Sequence, residues 1–186
     1  MAEGYHALGE LDVALVYYEK AVGTSHRKVE HLMGRAKCCM DMGDYGSAIE
    51  DYLEAHEKEK DDIGIMTKLA QAYFAEQNFK KCNSTLKMAL KAQKQKDVEN
   101  PDILQLQGSC LYHQRKFLDA ADHFSRCLEL DGKNVRAYLE RAKCFQTQED
   151  HKSAIVDLDK AIELDPQNVD AYFRRSLSLK IEKHFP

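Results

Sequence analysis

Cys38, Cys39, Cys82, Cys110, Cys127 and Cys144 have the widest chemical repertoire in this chain. A thiolate can ligate zinc, attack a carbonyl or close a disulfide, and each use needs a second group at a set spacing. There is no Cys-x-x-Cys, and Cys38 and Cys39, as neighbours, would point to different sides of a helix. The eight histidines are scattered, and no His-Glu-x-x-His, glycine-rich phosphate loop or Gly-x-Ser-x-Gly occurs. Catalysis needs a nucleophile with its base, a metal cluster or carboxylates converging in a pocket. No catalytic, metal-ligating or cofactor-binding residue is therefore assigned, and the chain reads as a non-enzyme that takes no cofactor.

The elements that hold these residues explain them better. In Val135–Asn168 the apolar residues recur every three or four positions in two blocks, Ala137–Gln148 and Lys152–Leu164, with a polar break at Glu149-Asp150. That pattern predicts a helix, a tight turn and a second helix, which Pro166 ends. The same unit begins again at Val29, Ile63, Pro101 and Val169, at steps of 34, 38, 34 and 34 residues counting Val135 in order. A period of this size built from helix pairs predicts a solenoid. The expected organisation is one array over residues 1–186. It has a partial repeat at 1–28, full repeats at 29–62, 63–100, 101–134 and 135–168, and at 169–186 the first helix of a truncated repeat. Eleven helices are expected, the first incomplete. The extra residues fall at Lys94–Asn100 and should lengthen a second helix or a loop by one turn.

Alignment of the repeats gives columns. Small residues form one column in the first helices, Ala2, Ala36, Ala70, Gly108, Ala142 and Ser176. Two more run through the second helices: Ala14, Ala48, Cys82, Ala120 and Ala154, then Ala21, Ala55, Ala89, Cys127 and Ala161. Large residues alternate with them, as in Tyr18, Tyr52, Leu86, Phe124 and Leu158. Small against large in register is what close helix crossing requires. Cys38, Cys110 and Cys144 share a further column, so the cysteines read as small core residues kept reduced. His151 stands in the column of Tyr45, Phe79 and Phe117 and reads as a core histidine.

These columns resemble the tetratricopeptide repeat family over essentially the whole chain. The resemblance implies an all-α, right-handed superhelical solenoid of antiparallel helix pairs whose concave face, lined by first helices, binds a protein or peptide. Departures are plain: Leu32, Met66, Leu104, Tyr138 and Tyr172 stand where the family opens with tryptophan. Arg35, Gln107, Arg141 and Arg175 replace a usual leucine, and only Pro166 keeps the closing proline. The family also includes clamps for chaperone tails ending Glu-Glu-Val-Asp, built from lysine and asparagine, then asparagine, then lysine and arginine. On the last three repeats those points are Gln105 and Ser109, Glu140, and Asp170 and Arg174, of which only Arg174 matches.

What remains is the groove, with Met33, Phe74, Tyr112, Arg136, Leu139, Lys143 and Phe173 as its candidate binding residues. Apolar anchors interleaved with polar groups suit an extended or helical peptide. Met33, Met40 and Phe74 read equally as packing between helices. Tyr112, Leu139, Phe74 and Phe173 would form a discontinuous apolar strip flanked by Arg136 and Lys143.

A net charge of -4 and a pI near 6.1 argue against nucleic-acid binding. No apolar run approaches membrane-spanning length and no signal segment is recognised, so a cytoplasmic location is expected and membrane insertion is not. Val29–Asp62 carries ten acidic and four basic residues, whereas Ile63–Asn100 carries seven lysines and three acids. Opposite charge on neighbouring second helices could steer a partner, or only keep the surface solvated. The leading reading is a protein-interaction scaffold or adaptor holding a peptide or subunit, with cytoskeletal or ciliary assemblies as a setting by family analogy. A chaperone-associated adaptor and a non-catalytic appendage of a larger enzyme are the alternatives. The apolar residues of 169–186 lack a partner helix, so a piece of a longer array, completion by another molecule, or self-association through this half-repeat is expected.

Overall fold

The computed structural model describes residues 1–24, 27–96 and 100–184. They form eleven α-helices: α1 (Ala2–Ala7), α2 (Leu11–Thr24), α3 (Val29–Met42), α4 (Tyr45–Lys58), α5 (Ile63–Ala75), α6 (Phe79–Lys96), α7 (Pro101–His113), α8 (Phe117–Leu130), α9 (Val135–Thr147), α10 (His151–Leu164) and α11 (Val169–His184). The expected repeat starts are the first residues of α3, α5, α7, α9 and α11. Packing divides the chain into two compact units, Met1–Lys96 and Asp97–Pro186. The division falls at the segment carrying the extra residues. Part of that insertion is taken up in α6, which has 18 residues where α4, α8 and α10 have 14.

Local chemistry sets the helix boundaries. Asp62, Asn100, Asn134 and Asn168 precede the first helices α5, α7, α9 and α11. Their side-chain oxygens accept hydrogen bonds from the backbone N–H of Ile65, Asp102, Ala137 and Ala171. Each bond satisfies a donor that the first helical turn leaves open. Asp44, Asn78 and Asp150 do the same for the second helices α4, α6 and α10. The turn inside each pair needs one residue in the left-handed region, and Gly9, Gly43, Gln77, Arg115 and Glu149 take it with φ between 62° and 81°. Glycine adopts this conformation freely; the other three adopt it against their Cβ.

The core of each unit lies where the helices cross. In the first unit Ala14, Ala36, Ala48, Ala55, Ala70, Cys82 and Ala89 are fully buried, and in the second Ala120, Cys127, Ala142, Ala154 and Ala161 are. Gly108 shows why the column is small: a Cβ there would lie 2.7 Å from the Phe124 ring. The same column ends differently, with Ser176 exposed on α11. All six cysteines are buried, and none forms a disulfide among the described residues. Burial raises the Cys38 thiol and pushes Cys39 and Cys127 up to about 11 and Cys144 to about 12, so these four stay protonated and inert at neutral pH. His151 is half-buried, and its buried Nδ1 has no hydrogen-bond partner among the described residues.

Candidate functional site

The first unit holds a recess of about 890 Å³. Its lining comes from the first helices α1, α3 and α5, with Tyr18 of α2 and Tyr52 of α4 at the back. Met33 and Met40 supply polarizable apolar surface, which adapts to irregular ligands. Glu3, Glu30 and Asp41 bring negative charge, while Lys37 and Lys68 bring positive charge.

The back wall depends on a close approach. A Cβ on Gly34 would sit 2.5 Å from the Tyr18 ring, so glycine lets this ring lie against α3. His6 meets the same ring edge-on, with centroids 6.3 Å apart, and its Nε2 lies 2.7 Å from Asp41 Oδ2. This contact ties α1 to α3 across the recess. Tyr52 is 2% exposed, and burial pushes its hydroxyl up to about 12. Burial likewise raises the Tyr18 hydroxyl. Both hydroxyls are therefore neutral donors, and neither has a hydrogen-bond partner among the described residues.

Of the groove residues expected from sequence, Met33 lies in this recess, although part of its side chain packs against the cluster of Val22, Leu32, Ala55 and Ile65. Phe74 belongs to the same unit but not to the lining; it is half-buried, edge-on to Phe79 at 5.5 Å. The other five lie in the second unit. Tyr112 is half-buried, edge-on to Phe117 at 5.3 Å, and packs on the cluster around Phe124. Leu139 packs on the cluster of Ala142, Ala154, Leu158, Ala161 and Ala171. Lys143 donates to Glu140 at 2.8 Å, Arg136 is exposed, and Phe173 is 67% exposed. Tyr112 and Leu139 are thus partly structural residues, each packed on the core of its own unit.

Tyr18 and Tyr52 had been assigned to packing by their column. One signal pointed further: Gly34 stands in mid-helix where the other repeats carry Lys68, Leu106, Glu140 and Arg174. The α1 contributors Glu3 and His6 belong to the incomplete repeat, for which no groove positions had been assigned.

The clamp positions are engaged elsewhere. Arg174 donates through Nε to Asp170 at 2.9 Å, Gln105 accepts from Asn134 at 2.9 Å, and Ser109 is 5% exposed. Among the described residues no three metal-binding side chains converge, and no helix is long and apolar enough to cross a membrane.

Comparison with known proteins accords with this architecture. Tetratricopeptide repeat models match residues 40–110 and 135–168, together more than half of the chain. Hsp70-Hsp90 organizing protein 1 of Glycine max is 24% identical over 169 residues, covering 73% of this chain and 30% of that protein. Tetratricopeptide repeat protein 16 of Macaca fascicularis is 26% identical over 131 residues, covering 69% of this chain and 15% of that protein. The chain thus spans less than a third of these relatives. Among solved structures, MamA from Desulfovibrio magneticus RS-1 superposes with a TM-score of 0.80 at 14% identity, covering 90% of this chain and 93% of that one. YrrB, described as having an unusual peptide-binding site, gives 0.75 at 19% identity, with 94% and 88% covered. At such identities the likeness establishes the fold alone.

Proposed function

This chain belongs to the tetratricopeptide repeat family, and on that premise we propose that it is a non-catalytic scaffold whose first unit captures a peptide segment of a partner protein. The observation that carries this reading is the recess in which Met33 and Met40 stand before the unpartnered hydroxyls of Tyr18 and Tyr52, between acidic and basic side chains. Apolar surface with a few convergent donors is the usual make-up of a recognition pocket. A peptide with an apolar anchor beside an acidic side chain fits: the anchor meets the methionines, a carbonyl accepts from a tyrosine, and the acid reaches Lys37. Acidic neighbours of that segment would be repelled by Glu30 and Glu3, which sets direction.

The relatives named for organising Hsp70 and Hsp90 suggest chaperone tails as the ligand. The engagement of Arg174 by Asp170 argues against that choice. A cytoplasmic setting is part of the same proposal, since six buried cysteines outside any disulfide suit a reducing compartment.

Selection of peptides from a random display library on the purified protein tests the reading. The selected peptides should lose about 1.5–3 kcal/mol of affinity on Lys37→Glu and about 1 kcal/mol on Tyr52→Phe, which removes only a hydroxyl. Unfolding midpoints of Lys37→Glu should stay at the wild-type value. Selected peptides indifferent to both substitutions would place the binding site elsewhere.

A further inference from the structure

The second helices α4 and α6, both inside the first unit, present their outward columns with opposite sign. In register, Glu50, Leu53 and Glu57 on α4 correspond to Ser84, Lys87 and Lys91 on α6, and all six are exposed. The other acids of α4 are engaged: Asp51 accepts from Arg35 and Glu54 accepts from Arg27, each at 2.6 Å. No aspartate or glutamate occurs in α6, so Lys87 and Lys91, four places apart, repel each other with no acid of the same helix to relieve them. Glu50, Glu57, Lys80, Lys87 and Lys91 make no ion pair among the described residues. Glu57 and Lys91 border one recess of about 410 Å³, together with Met66 and Met88, so the two charged rows flank a gap instead of closing on each other.

Rows of opposite sign lying side by side are complementary to themselves. A two-fold axis parallel to the helices lays α4 of one copy against α6 of another, and the reverse, with the facing helices running the same way. Corresponding columns then stand at one height. Glu57 faces Lys91 of the second copy, and Glu50 lies three residues along from its Lys87, about 4.5 Å, within reach of a lysine side chain. Leu53, 39% exposed, and Met88, 45% exposed, lie among these charges and are covered by the same contact.

We propose that the α4 and α6 face of the first unit docks a second copy of this chain, giving an isologous dimer held by reciprocal glutamate–lysine contacts. Other occupants satisfy half of the face. A nucleic acid or an anionic membrane drawn to Lys80, Lys87 and Lys91 meets Glu50 and Glu57 beside them, and like charge costs affinity. None of these residues lines the recess at Met33 and Met40, so docking does not rest on the peptide reading. If both hold, the dimer carries two recesses and brings two captured segments together.

Sedimentation velocity on the full chain tests this. Wild type should form reversible dimers whose dissociation constant rises about tenfold or more between about 0.05 M and 0.5 M salt, because exposed charge pairs are screened. Glu50→Lys with Glu57→Lys sets like charge against like, as does Lys87→Glu with Lys91→Glu, and each double variant should weaken the dimer about tenfold or more. Mixing the two variants puts opposite charges across the interface again, and dimers should return. Glutamate and lysine are both good helix formers, so the variants should fold, and a circular-dichroism melt checks this. Lys133→Glu with Lys152→Glu carries the same net charge as the α6 variant but on the second unit. It should dimerise as wild type does and fail to rescue the α4 variant. A wild-type monomer at about 1 mM in low salt, dimers indifferent to both charge reversals, or rescue by the second-unit variant would each overturn the proposal. So would a chain that stays monomeric and binds single-stranded DNA or anionic vesicles through Lys87 and Lys91, which would assign α6 to a polyanion.

Discussion

Two positions show how much a single residue decides. Gly108 faces Phe124, and a Cβ there would lie 2.7 Å from the ring, so the missing Cβ makes room for it. Gly108→Ala should cost about 1–3 kcal/mol by overpacking, and adding Phe124→Leu should recover most of it; urea unfolding of the single and double variants measures both. The turn residues behave oppositely. Gln77, Arg115 and Glu149 hold φ of 63°, 62° and 63° where Gly9 and Gly43 stand in earlier repeats. Replacing any of the three by glycine should stabilise by about 0.5–1 kcal/mol, since relief of the left-handed strain exceeds glycine's entropy cost. An unchanged or lower unfolding midpoint would contradict that. The left-handed position was legible in the sequence only where glycine stands, at Gly9 and Gly43. At Arg115 nothing in the residue type signals it, because the conformation is imposed by the helices on either side.

At the scale of the element, caps and helix pairing carry different energies. Hydrogen bonds from the Ser47 and Ser153 side chains and backbones hold the Asp44 and Asp150 carboxyls below the ordinary carboxylate range. A folded-state pKa below the unfolded one favours the deprotonated cap. This stabilisation is complete above the ordinary carboxylate pKa of about 4 and is lost as pH falls through it toward the folded value. Asp44→Asn with Asp150→Asn keeps the acceptor but binds no proton. The variant should therefore lose less stability than wild type between about pH 5 and pH 3 in urea titrations. The Arg141–Asp157 pair is the larger element-level interaction. Arg141→Leu alone leaves the nearly buried Asp157 carboxylate unpaired and should cost about 3–5 kcal/mol. Arg141→Leu with Asp157→Thr imports the Leu69 and Thr85 combination from the second full repeat and should be close to neutral. A double variant as unstable as the single one would show that the pair itself, and not the orphaned charge, sets the energy. Reading Arg35, Arg141 and Arg175 only as departures from leucine overlooked this, because their partners lie sixteen residues away on another helix.

For the molecule as a whole, family membership and ligand separate. The relatives include Hsp70-Hsp90 organizing proteins, yet four of the five clamp positions differ in type and Arg174 is held by Asp170. Peptides ending Glu-Glu-Val-Asp should bind no better than scrambled ones, because each missing charge-assisted bond removes about 1.5–3 kcal/mol. Isothermal titration of both peptides checks this, and micromolar binding abolished by Arg174→Ala would contradict it. The charge contrast between α4 and α6 persists at the surface, with Glu50 and Glu57 exposed on one and Lys80, Lys87 and Lys91 on the other.

What the sequence determined by itself was what recurs: helix starts at Val29, Ile63, Pro101, Val135 and Val169, the small columns buried at the helix crossings, and the extra length that lengthened α6. These are local properties repeated in register, so each copy corroborates the others. Tertiary structure alone decided which groove residues are free. Tyr112 and Leu139 are half-buried against their cores, whereas Tyr18 and Tyr52 are buried in the core as their column requires and also line the recess, which a column cannot encode. The outcome depends on how closely two helices approach, set here by one absent Cβ at Gly34 and by a histidine from the incomplete first repeat reaching Asp41. Likewise, an arginine acquires a partner only when a second helix is brought against it, which no spacing within a single repeat can specify.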